Sequence, residues 1–277
     1  MNAVSLHEDR LVVQRHGEGQ VLLCLHGSHG NAQQWQALAQ RAPQGMSLQM
    51  PDLYGHGQSE CAPVDAPAKL ATEVAAILRS ADIGEEGVHL VGHGYGAAVA
   101  MQLALQRPQL VRSLTLYEPV AFGVLAACAE DDPAWREIQD VARYVEACLA
   151  HGQTIAAAQA FVNYWHGCDL WSALRLHQRD AFAARMKTVS RHLQALFDAR
   201  WSPQLLNQLQ QPVQLICGGL TRAPAARVAA LLAQHLPNAQ LHTLADAGHM
   251  GPMTHAAEVA RMIWGFVPQR QARALAA

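Results

Sequence analysis

Charged residues are scarce in this chain: only 15% of its 277 residues are Asp, Glu, Lys or Arg, and the formal net charge is −2. A near-neutral surface exerts little pull on nucleic acid or an anionic membrane, and neither is expected as a partner. Aromatic residues are also few, at 6%. No apolar run approaches the ~20 residues of a membrane-spanning helix. The cysteines, Cys24, Cys61, Cys128, Cys148, Cys168 and Cys217, form no C-x-x-C pair and no metal-ligand spacing, so no metal site is expected. Cys24 and Cys217 lie in apolar, strand-like runs, where a free thiol packs as a small hydrophobe. The Gly-rich stretch 26–31 lacks the lysine and the spacing of a phosphate-binding loop, and no cofactor is expected. Residues 1–10 include His7, Glu8, Asp9 and Arg10 and have no apolar core of a secretory signal. These absences predict a soluble cytoplasmic protein with reduced thiols, and they leave its oligomeric state open.

What is present is apolar and alternating. Hydrophobic residues make up 51% of the chain, and its length suits one α/β domain with an insertion. Strands are expected at 11–14, 21–25, 47–50, 88–91, 113–117, 213–217 and 240–244. Helices are expected at 32–41, 66–80, 97–106, 225–235 and 256–267, with a frayed tail from Pro268. The second of these helices places Leu70, Val74, Ile77 and Leu78 on one face. Strand-helix alternation of this kind specifies a parallel sheet. From Phe122 to Trp201 strand signals vanish and helical periodicity takes over. The predicted organisation is a core of residues 1–121 and 202–277 carrying an all-helical cap of residues 122–201. Histidine is frequent, at 15; most are expected on loops and surface, gaining charge below about pH 6.5.

The segment Gly92-His93-Gly94-Tyr95-Gly96 joins an apolar strand to a small-residue helix. This is the layout of a nucleophile elbow, G-x-S-x-G, in which a sharp turn lifts a serine above the sheet. Here the central residue is Gly94, which has no side chain to attack with. A non-glycine residue at such a strained turn costs of order 1–3 kcal/mol, whereas glycine adopts positive φ freely. Gly94 is what a chain carries when the turn is kept and the nucleophile is gone.

Four segments in order (26–31, 52–59, 92–97 and 246–250) resemble the motifs of α/β-hydrolases with a helical cap, over nearly the whole chain. The fold class this resemblance implies is the α/β-hydrolase fold, a mostly parallel sheet flanked by helices. By resemblance, the backbone N–H groups of Ser28 and Tyr95 form an oxyanion hole. His249, in Ala247-Gly248-His249-Met250, takes the position of the general base. The family often places its acid after the strand that here ends at Cys217, where this chain has Thr221. The alternative family position, the end of the preceding strand, holds Glu118, which is the expected partner of His249 ahead of the sequence neighbour Asp246. Asp52 and the glycines after it read as turn formers. Trp165 and Trp171 are candidate substrate-gripping aromatics of the cap. Ser28 is the nearest substitute nucleophile, but a backbone-donor role turns its side chain elsewhere.

The resemblance implies hydrolysis of a small, fairly apolar ester, amide or C–C bond substrate by Ser-His-acid chemistry, inactive or strongly impaired by the vacancy at Gly94. Losing the serine of such a site costs about 10⁶ in turnover. Two other readings stay open. One is cofactor-free, histidine-based lyase or oxygenase chemistry, and the other is a degenerate ligand-binding module.

Overall fold

The computed structural model describes residues 10–63 and 66–274; residues 1–9, which carry the expected absence of a targeting signal, lie outside them. Strands β1 (Val13–Gly17) and β2 (Gln20–Leu25) come first. A 3-10 turn, Ala32–Trp35, and the one-turn helix α1 (Gln36–Ala39) stand where a single helix was expected. Next come β3 (Met46–Pro51), α2 (Leu70–Ser80), β4 (Val88–His93), α3 (Tyr95–Gln106) and β5 (Val111–Tyr117). Helix α2 begins at Leu70 rather than 66 because Pro67 holds a turn before it: Lys69 N–H and the Thr72 hydroxyl both donate to Pro67 O, at 2.8 Å.

Helices alone fill the span between β5 and β6 (Val213–Gly218). They are α4 (Gly123–Cys128), α5 (Pro133–Ala150), α6 (Thr154–His166), α7 (Leu176–Ala184), α8 (Met186–Asp198) and α9 (Pro203–Leu206). Helix α10 (Ala223–His235), β7 (Ala239–Leu244), α11 (Gly251–Thr254) and α12 (Ala256–Ala274) complete the chain. The last helix continues past Pro268 to Ala274, where a frayed tail was expected. Among the described residues no helix is long and apolar enough to cross a membrane.

The seven strands form one sheet in the order β1-β3-β2-β4-β5-β6-β7, antiparallel only between β1 and β3. Alternate residues of a strand face opposite layers. Thus Leu23, Leu25 and Leu90 join the large core with α3 and the helices after β5, while Leu22, Cys24 and Val91 pack against α1 and α12. Because β4, β5 and β6 run parallel as neighbours, their C-terminal ends lie side by side, and the loops leaving them converge.

Most of the described histidines lie on loops or the surface, as expected, but His26, His56, His89, His93, His192 and His249 are buried. Their rings take part in internal hydrogen bonds, His89 Nδ1 for example lying 2.7 Å from Ser113 Oγ across β4 and β5. His26 Nδ1–H donates to Gly27 O (2.8 Å), and its Nε2 accepts Leu53 N–H (2.9 Å). Burial pushes His26 and His89 down to about 4, and His29 and His56 to about 3, so these rings stay neutral well below pH 6.5.

Candidate active site

The reversal from β4 into α3 falls on Gly94, at φ 53° and ψ −115°. The flanking glycines permit the close approach: a Cβ on Gly92 would come 2.4 Å from Ala97 Cα, and one on Gly96 2.4 Å from Leu25 O. Gly94 differs from both. A Cβ there would meet His249 Nε2 at 3.2 Å and Cε1 at 3.3 Å, with Gly27 Cα at 3.9 Å. A side chain at position 94 would therefore project at the imidazole.

His249 lies in the loop between β7 and α11. Its Nδ1–H donates to Glu118 Oε2 at 2.8 Å, across 131 residues of sequence. That bond fixes the tautomer and leaves the Nε2 lone pair on the side of Gly94. Glu118 is wholly buried, and its carboxylate is fully engaged. Oε1 accepts Gly218 N–H (2.8 Å), and Oε2 also accepts the Thr221 hydroxyl (2.5 Å). Thr221, standing where the family's acid is expected, thus donates to the carboxylate that arrives from β5. Glu118 has φ 43° and precedes Pro119, a backbone state that costs a non-glycine residue of order 1–3 kcal/mol. Glu118 N–H, bonded to Ile216 O at 2.8 Å, holds it there. Asp246 is exposed.

His93, inside the elbow motif, is a residue the sequence reading passed over. Its Nε2–H donates to His249 O (2.9 Å), and its ring centroid is 4.7 Å from that of His249. The Tyr117 hydroxyl donates to Gly248 O (2.7 Å), so side chains of β4 and β5 anchor two successive carbonyls of the loop. Burial, and then the proximity of His249, hold His93 well below the usual histidine range.

A narrow pocket opens onto Gly94's neighbours, lined by Ser28, His93, Tyr95, His249 and the apolar side chains Val120, Phe122, Phe161, Val162, Phe182, Leu193 and Leu196. Trp165 belongs to this wall, its ring centroid 4.2 Å from that of His249. Trp171 does not. It sits on the turn between α6 and α7, its N–H bonded to Asn163 Oδ1 (2.9 Å) and its ring beneath the Arg179 guanidinium, packing the helices rather than the pocket. Tyr95 opens α3, where first-turn N–H groups have no acceptor within the helix. Ser28 lines the pocket, and its Oγ hydrogen-bonds Nδ1 of His192, a residue of the neighbouring cavity, at 2.9 Å. Asp52 accepts the N–H groups of Ala32 (2.7 Å) and Gln58 (2.9 Å), as a turn former does.

A sequence profile of the α/β hydrolase fold matches residues 20–256. The chain is 30% identical over 259 residues to a pimeloyl-[acyl-carrier protein] methyl ester esterase of Neisseria meningitidis, covering 88% of this chain and 91% of the relative. It is 27% identical over 264 residues to a 2-hydroxymuconate semialdehyde hydrolase of Pseudomonas putida, covering 92% and 90%. An esterase from Thermogutta terrifontis superposes with a TM-score of 0.71 at 20% identity, covering 94% of this chain and 93% of that one. An α/β hydrolase from a Medee basin deep-sea metagenome library reaches 0.76 at 17%, covering 93% and 94%. The chain belongs to the α/β-hydrolase fold family.

Proposed function

We propose that this protein is built to hydrolyse a small, fairly apolar ester, amide or C–C bond substrate, and that its Ser-His-acid machinery surrounds a vacant nucleophile seat at Gly94. One observation carries the reading: a Cβ on Gly94 would lie 3.2 Å from His249 Nε2, while His249 Nδ1 is 2.8 Å from Glu118. In this reading His249 is the base, and Glu118 orients it and stabilises its charged form. The backbone N–H groups of Ser28 and Tyr95 receive the developing oxyanion. Residues 122–201 act as a cap over the core of 1–121 and 202–277, and Trp165 and the phenylalanines grip the apolar part of the substrate. Relatives named as an esterase and a hydrolase support the substrate class.

The test is steady-state hydrolysis of a panel of short activated esters by the chain as it stands and by Gly94→Ser. Near-background turnover is expected for the first and a gain of at least about 10³ for the second. The same dyad without a nucleophile also suits proton abstraction beside a carbonyl. No ester gain, together with solvent-deuterium exchange into a bound ketone, would replace the hydrolase reading with that one.

A further inference from the structure

Beside the pocket lies a second hydroxyl–imidazole pair, separate from the elbow: Ser28 lines the pocket, and His192 lines the neighbouring cavity with Tyr95 and Glu73. Ser28 follows Gly27, whose Cα is 3.9 Å from the Cβ position of residue 94, and it lines the pocket together with His249. Its Oγ is 2.9 Å from Nδ1 of His192, on α8. His192 is buried and clamped flat. The Tyr95 ring stacks on it at 3.6 Å and 5°, and the His56 ring lies beyond at 5.1 Å and 18°. Its Nε2 has no hydrogen-bond partner among the described residues, and the Glu73 carboxyl oxygen Oε1 stands 3.9 Å away. With the ring proton on Nε2, toward that carboxyl, Nδ1 offers a lone pair and the Ser28 hydroxyl donates to it. This is the relation of an activated nucleophile to its base, with a ring whose orientation is fixed in advance.

We propose that Ser28 is a working nucleophile in this chain, with His192 as its base, in the same pocket whose elbow residue is glycine. The proposal rests on the pocket being hydrolytic. Ser28 Oγ attacks the ester carbonyl and its proton passes to His192 Nδ1. The bond to the leaving alkoxide breaks, and the alkoxide takes that proton, giving acyl-Ser28 and free alcohol. Water then attacks the acyl carbon, losing its proton to His249 Nε2. Ser28 Oγ departs and takes the proton held on His249, which returns both groups to their starting state and releases the carboxylic acid. Burial holds His192 well below the usual histidine range, which disfavours the imidazolium and makes the acylation slow.

The test uses an alkyl fluorophosphonate on the full chain, read by intact mass and peptide mapping. The Ser28 Oγ–P bond forms, the P–F bond breaks, fluoride leaves, and the proton goes to His192. One adduct per chain at Ser28 is expected, absent in Ser28→Ala and formed about 10²-fold more slowly in His192→Gln. No adduct, an adduct at another residue, or an unchanged rate in His192→Gln would overturn the proposal. Mapping the unaltered chain needs no variant, so the nucleophile stays decidable even if His192→Gln does not fold. Ester gain in Gly94→Ser without a label on Ser28 in the unaltered chain sinks this proposal alone. A label on Ser28 without ester gain sinks only the vacant-seat reading.

Discussion

His249 and His192 line neighbouring cavities that share Tyr95, and they are built in opposite ways. His249 has a carboxylate at 2.8 Å, itself held by Gly218 and Thr221, but no hydroxyl opposite its Nε2. His192 has a hydroxyl at 2.9 Å, while its nearest carboxyl is 3.9 Å away and its faces are covered by rings. A base in acyl transfer must become positively charged for a moment. A bonded carboxylate stabilises that charge, and stacking in a dry core does not. The first arrangement stands on strand ends and the loop after β7, fixed by the sheet. The second joins the loop after β2 to α8, from the helical span between β5 and β6. A bonded carboxylate and a bonded hydroxyl thus stand beside different histidines.

The largest effect separating the two is expected from Glu118→Gln in the Gly94→Ser protein. An amide cannot stabilise the His249 imidazolium, so kcat on activated esters should fall by about 10⁴ with KM little changed. Unchanged kcat would place the two histidines on an equal footing.

Acid should expose the cost of burying neutral histidines without a bonded carboxylate. Unfolded imidazoles titrate near about 6.5, whereas burial holds His26 and His89 at about 4 and His29 and His56 at about 3. Below pH 6.5 the unfolded chain therefore binds more protons than the folded one, and stability falls as pH falls. The loss is roughly 1.4 kcal/mol for each such ring at pH 5.5. Glu73 opposes this: burial raises it from 4.5 to about 8, so its folded form keeps a proton that the unfolded form releases. One carboxyl offsets only part of several histidines. The urea midpoint should drop clearly between pH 7.5 and 5.5, and a flat profile would contradict the buried neutral state.

The smallest effect concerns the seat itself. With φ at 53°, Gly94→Ser should cost about 1–3 kcal/mol of stability. At roughly 2–4 °C per kcal/mol, Tm should fall by several degrees even as activity rises. An unchanged Tm in calorimetry would mean that the turn relaxes.

The fold was legible because its signals are local. Alternating strands and helices, the Gly92–Gly96 turn and the helical run after Glu118 all lie in short windows of sequence. Trp165 and Trp171, six residues apart and alike in composition, were not separable, because only packing decides which one faces the pocket. Glu118 was readable from its place at a strand end, but its contact with His249 spans 131 residues. His93 could have been singled out by its place in the elbow motif. Nothing around His192, on an ordinary amphipathic helix, announces that the ring meets Ser28. Which histidines are buried was not readable for the same reason: burial belongs to the assembled fold, not to any one segment.

Phosphonylation of the Gly94→Ser protein, with and without His249→Ala, tests the vacant seat most directly. Rapid modification at position 94 is expected with His249 present, slowing by about 10³-fold or more in its absence. Equal rates in the two proteins, or no modification at position 94, would mean that His249 Nε2 does not face a usable seat.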